Sequence, residues 1–361
     1  MKRFRLPVWL LAPFFGILPS VGSAAPAADI FPVLETPAVV SARAESSAIL
    51  SVAKAGERLV AVGERGIVLL SDDAGLNWRQ VNAPVSVTLT AVQFVTQTSG
   101  WAVGHFGIVL HSVDGGETWT KQLDGQQAAA LALKAAEKQV TIDPEGGQRA
   151  LREAQFLVTD GPDKPFLDVL FVTENTGYVI GAYNLIFRTD DAGQTWRSWQ
   201  AHVDNPNALH LYGIHAVGDD IYIVGEQGVL LKADKTGHHF KALKTPYEGS
   251  YFGLVAGDYG DVIIFGLRAN AYRSADGGLS WSKVDIASQV SISDGVRLAG
   301  GAMALVSQSG EVFIGSDHGL GFKPQPKGQP LPATSVVQTN DGAIVIGSLR
   351  GLLRIDLGSQ N

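Results

Sequence analysis

The chain repeats itself, and this repetition limits its possible folds more than any other feature. Four eight-residue segments align at once, each with Ser or Thr first, Asp third, Gly fifth and Trp eighth. They are Ser71, Asp73, Gly75 and Trp78; Ser112, Asp114, Gly116 and Trp119; Thr189, Asp191, Gly193 and Trp196; and Ser274, Asp276, Gly278 and Trp281. Two decayed copies follow, at Gly237 with Phe240 and at Asp317 with Gly319 and Phe322. Successive aromatic positions differ by 41, 77, 44, 41 and 41, so the one long interval holds a full period and 36 further residues. Upstream of each segment lies an apolar run closed by a turn, at 60–63, 101–104, 178–181, 222–225, 263–266 and 304–307, with a seventh at 344–347. A period of this length belongs to an array of small supersecondary units.

Each unit holds short β-rich runs bounded by Gly and Asp, including one ahead of the apolar run, as at 90–95 or 167–172. With the segment after the Trp, that makes four strands. The runs are apolar at consecutive positions, as expected of sheets covered on both faces by their neighbours. The spacing predicts an all-β chain, a seven-bladed β-propeller with four-stranded blades, forming one domain over 28–361. The last unit lacks its outer strand, and an open edge invites aggregation. Part of residues 31–42 is predicted to pair there as the outermost strand of the last blade, a place that suits Pro32 and Pro37. The extra residues, roughly 124–160, abandon the β pattern. Stretches 128–140 and 148–157 read as two helices around a breaker at 143–147, inserted between blades two and three. The pair is either a docking arm or lid, or a packed excursion.

Lys2, Arg3 and Arg5, an apolar run over 6–18 and the small residues Gly22 to Ala25 have the layout of a secretory leader, cleaved near Ala24 to Ala27. Cleavage takes the formal charge from −7 to −10. The expected product is soluble and periplasmic. The chain has no Cys, which excludes disulfides, thiolate metal sites and a lipidated cleavage site. An acidic chain with 28 Lys and Arg against 35 acids offers no footprint for nucleic acid. No cofactor or metal is expected; His238 and His239, adjacent in a strand context, point to different sides.

The four strong segments resemble the Asp-box (BNR repeat) hairpin of sialidases and of several non-enzymatic propellers. Their chemistry is that of a turn: a carboxylate accepting backbone N–H groups, a Gly at positive φ and a packed Trp. Functional residues are expected at the opposite end of the strands, where the turns between second and third strands diverge. Candidates there are Arg65, His105, Tyr183, Glu226, Arg268 and Arg350, either a partner-binding patch gripping carboxylates or solvated turn residues. His111, Arg188, Lys232 and Arg273 form a basic row just before the boxes, read as a solvated strand edge or a docking stripe. A glycoside hydrolase is the alternative function. Glu64, Glu226 and Asp258 are its possible carboxylates, while Arg43 and Arg58 lack the sialidase context.

The run Gly-Trp-Ala-Val-Gly-x-x-Gly-x-x-Leu-His-Ser-x-Asp-Gly-Gly-x-Thr-Trp at 100–119, iterated behind a leader, resembles the photosystem II stability and assembly factor family of plants and cyanobacteria, with exported relatives in non-photosynthetic bacteria. The resemblance implies a lumenal or periplasmic seven-bladed propeller that helps assemble a membrane protein complex. It further implies a protein partner gripped by an arginine patch, for which Arg65, Arg268 and Arg350 are the candidates, with peripheral membrane association and no catalysis.

Overall fold

The apolar run of each repeat becomes the second strand of an antiparallel sheet. Gly100–Gly104, Gly177–Gly181, Val262–Gly266, Met303–Ser307 and Ile344–Ser348 are buried at every position, because both faces of these strands meet neighbouring sheets. The computed structural model describes residues 31–257, 260–315, 321–325 and 331–357. Within them the strands form seven sheets. Five have four antiparallel strands each, spanning 49–81, 89–123, 166–198, 211–242 and 251–283. The sixth, 292–324, also has four, and Asp285–Ile286 adds a parallel strand at its outer edge. The seventh, 333–355, has three.

The first strand of each sheet lies against the first strand of the next, and that of the seventh lies against Ile49–Ala55 of the first, so the contacts close a circuit. Large side chains fill the wedges between sheets. Trp101 is sandwiched between His111, 4.3 Å away, and Phe171 of the third sheet, 3.5 Å away.

Two sets of polar bonds lace neighbouring sheets together. Around the inside, the third residue of an innermost strand accepts an N–H from the next sheet: Val92 donates to Ser51 Oγ (3.2 Å), Ile214 to Asp168 Oδ2 (2.8 Å), Val336 to Asp294 Oδ2 (2.8 Å) and Val52 to Ser335 Oγ (3.1 Å). The second residue, where it is Ser or Thr, donates its hydroxyl to a carbonyl of the next sheet: Thr90 to Phe166, Ser293 to Ala333 and Thr334 to Ile49, at 2.7–2.8 Å. A bulge between the first and third residues of all seven innermost strands sets up this geometry.

Around the outside, a side chain of one sheet donates to a carbonyl of the next sheet's box turn. Arg58 reaches Gly115 (3.1 Å), Gln122 reaches Ala192 (2.8 Å), Arg188 reaches Thr236 (2.6 Å), Lys232 reaches Gly277 (3.2 Å) and Arg354 of the seventh sheet reaches Ala74 of the first (3.1 Å). The expectation that His111, Arg188, Lys232 and Arg273 form a solvated edge or a docking stripe is therefore corrected. His111 stacks on Trp101, Arg188 and Lys232 lace sheets, and Arg273 pairs with the buried Asp261. Cationic side chains are used because a charged donor makes a stronger bond to a half-buried carbonyl.

The predicted closing strand does not form. Residues 31–42 contain only a single 3-10 turn, Pro32–Leu34, and pack on the first two sheets instead of the seventh. Ala38 N–H donates to Ala83 O (3.0 Å), Ser86 N–H to Val33 O (3.0 Å) and Ser41 N–H to the Gln80 side chain (2.8 Å), while Lys121 pairs with Glu35. Pro32 and Pro37 each lack a ladder donor, so the segment satisfies itself through turns and side chains. The next turn, Ala44–Ser46, reaches the last sheet. There Glu45 O sits so close to Gly351, at φ +106°, that a Cβ would come within 2.3 Å of it.

Two helices form, α1 at Gly125–Ile142 and α2 at Gly147–Asp160, after the last strand of the second sheet and before the first strand of the third in chain order. Asp124 caps α1 by accepting from Gln126 and Gln127 N–H (3.1 Å each), and the Gln127 side chain accepts Asp124 N–H in return. Ala128, Ala129, Ala132 and Ala136 give α1 a small buried face, and its start sits on the turn at Gly107.

Candidate functional site

Antiparallel strands place the turn between second and third strands, here called the tip, at the opposite end of each sheet from the box turn. The helical pair, following a fourth strand, lies at the tip end. All seven tips are anchored alike: the N–H of the first tip residue donates to the carbonyl just before the innermost strand. The pairs are Glu64 with Ala48, His105 with Thr88, Ala182 with Pro165, Glu226 with His210, Leu267 with Ser250, Gln308 with Ser291 and Leu349 with Pro332, at 2.9–3.2 Å. In five tips the next residue is non-glycine at φ 51–58°: Arg65, Phe106, Tyr183, Gln227 and Arg268, all exposed except the half-buried Phe106. Ser309 and Arg350 follow in the last two tips. Holding side chains in this left-handed region costs about 1 kcal/mol or more each. The common backbone is thus a fixed pedestal for variable side chains.

Of the expected residues, Arg65, Tyr183, Arg268 and Arg350 occupy this second tip position and are exposed. The guanidinium groups of Arg65, Arg268 and Arg350 have no partner among the described residues. Arg350 and Arg65 belong to adjoining sheets, the seventh and first; Arg268 is on the fifth. His105 is exposed but holds the first tip position, the second being Phe106. Glu226 also holds the first position: its carboxylate accepts His210 N–H and lies 3.2 Å from His210 Nδ1. Glu64 likewise accepts Ala48 N–H at 3.0 Å. The two glutamates are therefore backbone staples on the first and fourth sheets and make no acid/base pair. Asp258 lies outside the described residues, as does the leader at 1–27. Arg58 joins Asp72, Arg79 and Glu117 in an ion network near the box end, and Arg43 precedes the turn at Ala44–Ser46. His239 pairs with Asp204 at 2.7 Å.

Each strong box folds into a hydrogen-bonded turn. In the second, Asp114 accepts the Ser112 hydroxyl (2.8 Å) and Thr118 N–H (2.9 Å), Gly116 at φ 88° donates to Ser112, and the Trp119 indole donates to Gly116 O (2.9 Å). Asp73, Asp191 and Asp276 make the equivalent bonds, with Gly75, Gly193 and Gly278 at φ 86°, 80° and 96°. Trp78 repeats the indole bond at 3.2 Å; Trp196 and Trp281 bury the indole nitrogen without it. The Ser280 hydroxyl and N–H hold the Asp276 carboxyl down at about 2. Its stabilising bonds are present above the ordinary carboxylate range and are lost as pH falls through about 2.

Sequence reasoning missed the axial channel, a cavity of about 520 Å³ lined by the innermost strands. Its carboxylates are Asp168 and Asp294. Loss of water pushes Asp168 up to about 7 and Asp294 up to about 6, against the pull of the N–H groups each accepts. Burial pushes His215 in the same channel down to about 4. An acid whose pKa rises on folding stabilises the folded state below its unfolded pKa, and that contribution disappears as pH rises through the folded value. Serine at position 168 would accept the same N–H, as Ser51 and Ser335 do. Relative to wild type, Asp168→Ser is therefore expected to gain thermal stability from pH 4 to about pH 7 and to level off above it; parallel melting curves over that range would refute the raised pKa of Asp168. The signal was a lone carboxylate in the apolar run Leu167-Asp168-Val169.

This architecture is matched along nearly its whole length by known propellers. A solved structure of YCF48 bound to D1 peptide superposes with a TM-score of 0.62 at 15% identity, covering 93% of this chain and 99% of that one. The WD40 β-propeller domain of Doa1 superposes with a TM-score of 0.63 at 12% identity, covering 91% and 97%. The protein is a β-propeller whose sheets present variable tips on a common pedestal. The sequence model described as photosynthesis system II assembly factor YCF48 matches residues 70–141 and 154–344, and the chain belongs to that family. The photosystem II assembly lipoprotein Ycf48 of Synechococcus sp. (strain CC9902) is 24% identical over 149 residues, 41% of this chain. That match spans 45% of the relative's length, less than half. No helix among the described residues is long and apolar enough to cross a membrane.

Proposed function

We propose that the seven sheets are the blades of one closed propeller over 28–361, with the helical pair inserted between blades two and three. The protein is exported after cleavage near Ala24 to Ala27 and acts without catalysis, as an assembly factor. Its tip face binds an exposed segment of a membrane protein complex, the partner that peripheral membrane association would bring near. One observation carries the proposal: all seven tips share one backbone anchor, yet the side chains they hold outward differ, and three are exposed arginines without partners among the described residues. A purely structural turn has no need of that divergence. Planar guanidinium groups suit carboxylates of an acidic segment. Membership of the assembly-factor family supports the same reading, as does the peptide complex formed by a relative of the same fold.

Fluorescence anisotropy with a labelled D1 peptide tests this proposal. Saturable binding that weakens with added salt is expected, because exposed charges are screened over about 8–10 Å at moderate ionic strength. Absence of saturable binding would remove the D1-like partner.

A further inference from the structure

The mouth of the axial channel at the tip end is uneven. The second residue of each innermost strand lines it. In the second, sixth and seventh sheets this is Thr90, Ser293 or Thr334, whose hydroxyl laces the next sheet. In three consecutive sheets, the third to fifth, it is Leu167, Tyr212 and Phe252, all half-buried and lining the cavity. Leu50 is the other apolar residue at this level. Tyr212 and Phe252 have ring centroids 5.7 Å apart; His210 lies 6.3 Å from Tyr212, and Tyr183 lies 4.7 Å from His210. Four rings thus form a continuous ledge from the outward position of the third tip to the channel mouth between the fourth and fifth sheets. Arg268 is exposed on the tip of the fifth sheet, the sheet that carries Phe252, and its N–H donates to Ser291 Oγ (3.2 Å). The seams show that small hydroxyls suffice at these positions for holding sheets together, so large rings left partly open to water are not required by the fold.

We propose that this ledge receives a large aromatic side chain of an extended acidic peptide, with a neighbouring carboxylate of that peptide drawn to Arg268. The proposal rests on peptide binding at the tip face and deepens it by naming the side-chain class. Charge complementarity favours such an occupant: an aromatic group flanked by acids is attracted by the exposed arginine while its ring stacks on Tyr212 and Phe252.

Two short probes test it, acetyl-Phe-Asp-Asp-amide and acetyl-Ala-Asp-Asp-amide, titrated by saturation-transfer NMR. Tyr212→Thr with Phe252→Ser installs residue types found at the same level of other sheets, so the fold should persist with an unchanged Tm. The Phe probe is expected to bind wild type at least about tenfold more tightly than the Ala probe, a gap set by aromatic stacking and ring burial. The double variant should erase that gap, and Arg268→Ala should weaken both probes. Equal binding of the two probes to wild type, binding of neither, or an unaltered gap in the double variant would overturn the ledge. A D1 peptide binding wild type and the double variant equally would remove the ledge while leaving the assembly-factor proposal in place. Phe-probe discrimination without D1-peptide binding would leave the ledge and remove the D1-like partner.

Discussion

Alanine at Arg65, Arg268 and Arg350 together is expected to weaken binding of the D1 peptide by at least about 100-fold, since each charge-assisted bond to a carboxylate contributes about 1.5–3 kcal/mol. The loss should appear with little change in Tm, because these side chains have no partner among the described residues whose loss would matter to folding. Lysine at the same positions should restore only part of the affinity, since an ammonium cannot form the bidentate fork. Isothermal titration of the triple variants, paired with melting curves, checks both halves. Unchanged affinity would reduce the arginines to solvated turn residues.

The second large effect is expected at the seam between the seventh and first sheets. Thr334→Val, Ser335→Ala and Arg354→Ala remove the bonds to Ile49 O, from Val52 N–H and to Ala74 O. Each lost bond costs about 1 kcal/mol, and somewhat more where a buried partner is orphaned. Their combined removal should lower Tm by roughly 5 °C for a chain of this size. Differential scanning calorimetry measures it. If Tm were unmoved by the triple variant yet fell steeply when residues up to Ala42 are deleted, the leading segment would hold the ring after all.

The sheets were legible because a propeller repeats its local chemistry: the turn and the apolar second strand return every period, and the Asp of each strong box makes its bonds within the box. The seams were not legible. Arg188 and Lys232 look like solvated edge residues because the carbonyls they reach, on Thr236 and Gly277, lie in the following repeat. The closing strand failed for a related reason. Pro32 and Pro37 are compatible with an edge strand but do not demand one, and side-chain lacing already joins the last sheet to the first. At the tips the diverging residues were visible, but which of two adjacent residues points outward depends on a backbone angle. Phe106 at φ 58° holds the position that Arg65 holds in the first tip, half-buried beside the exposed His105. The ledge escaped notice because Tyr212 and Phe252 sit in strands that read as ordinary core.

Hydrogen exchange measured by mass spectrometry, with and without the D1 peptide, tests binding at the tip face most directly. Slowed exchange is expected in the tips at 64–67, 182–185, 267–270 and 349–351, with the box turns at 73–78, 114–119, 191–196 and 276–281 unaffected. Protection confined to the box turns, or spread evenly over both ends, would contradict it.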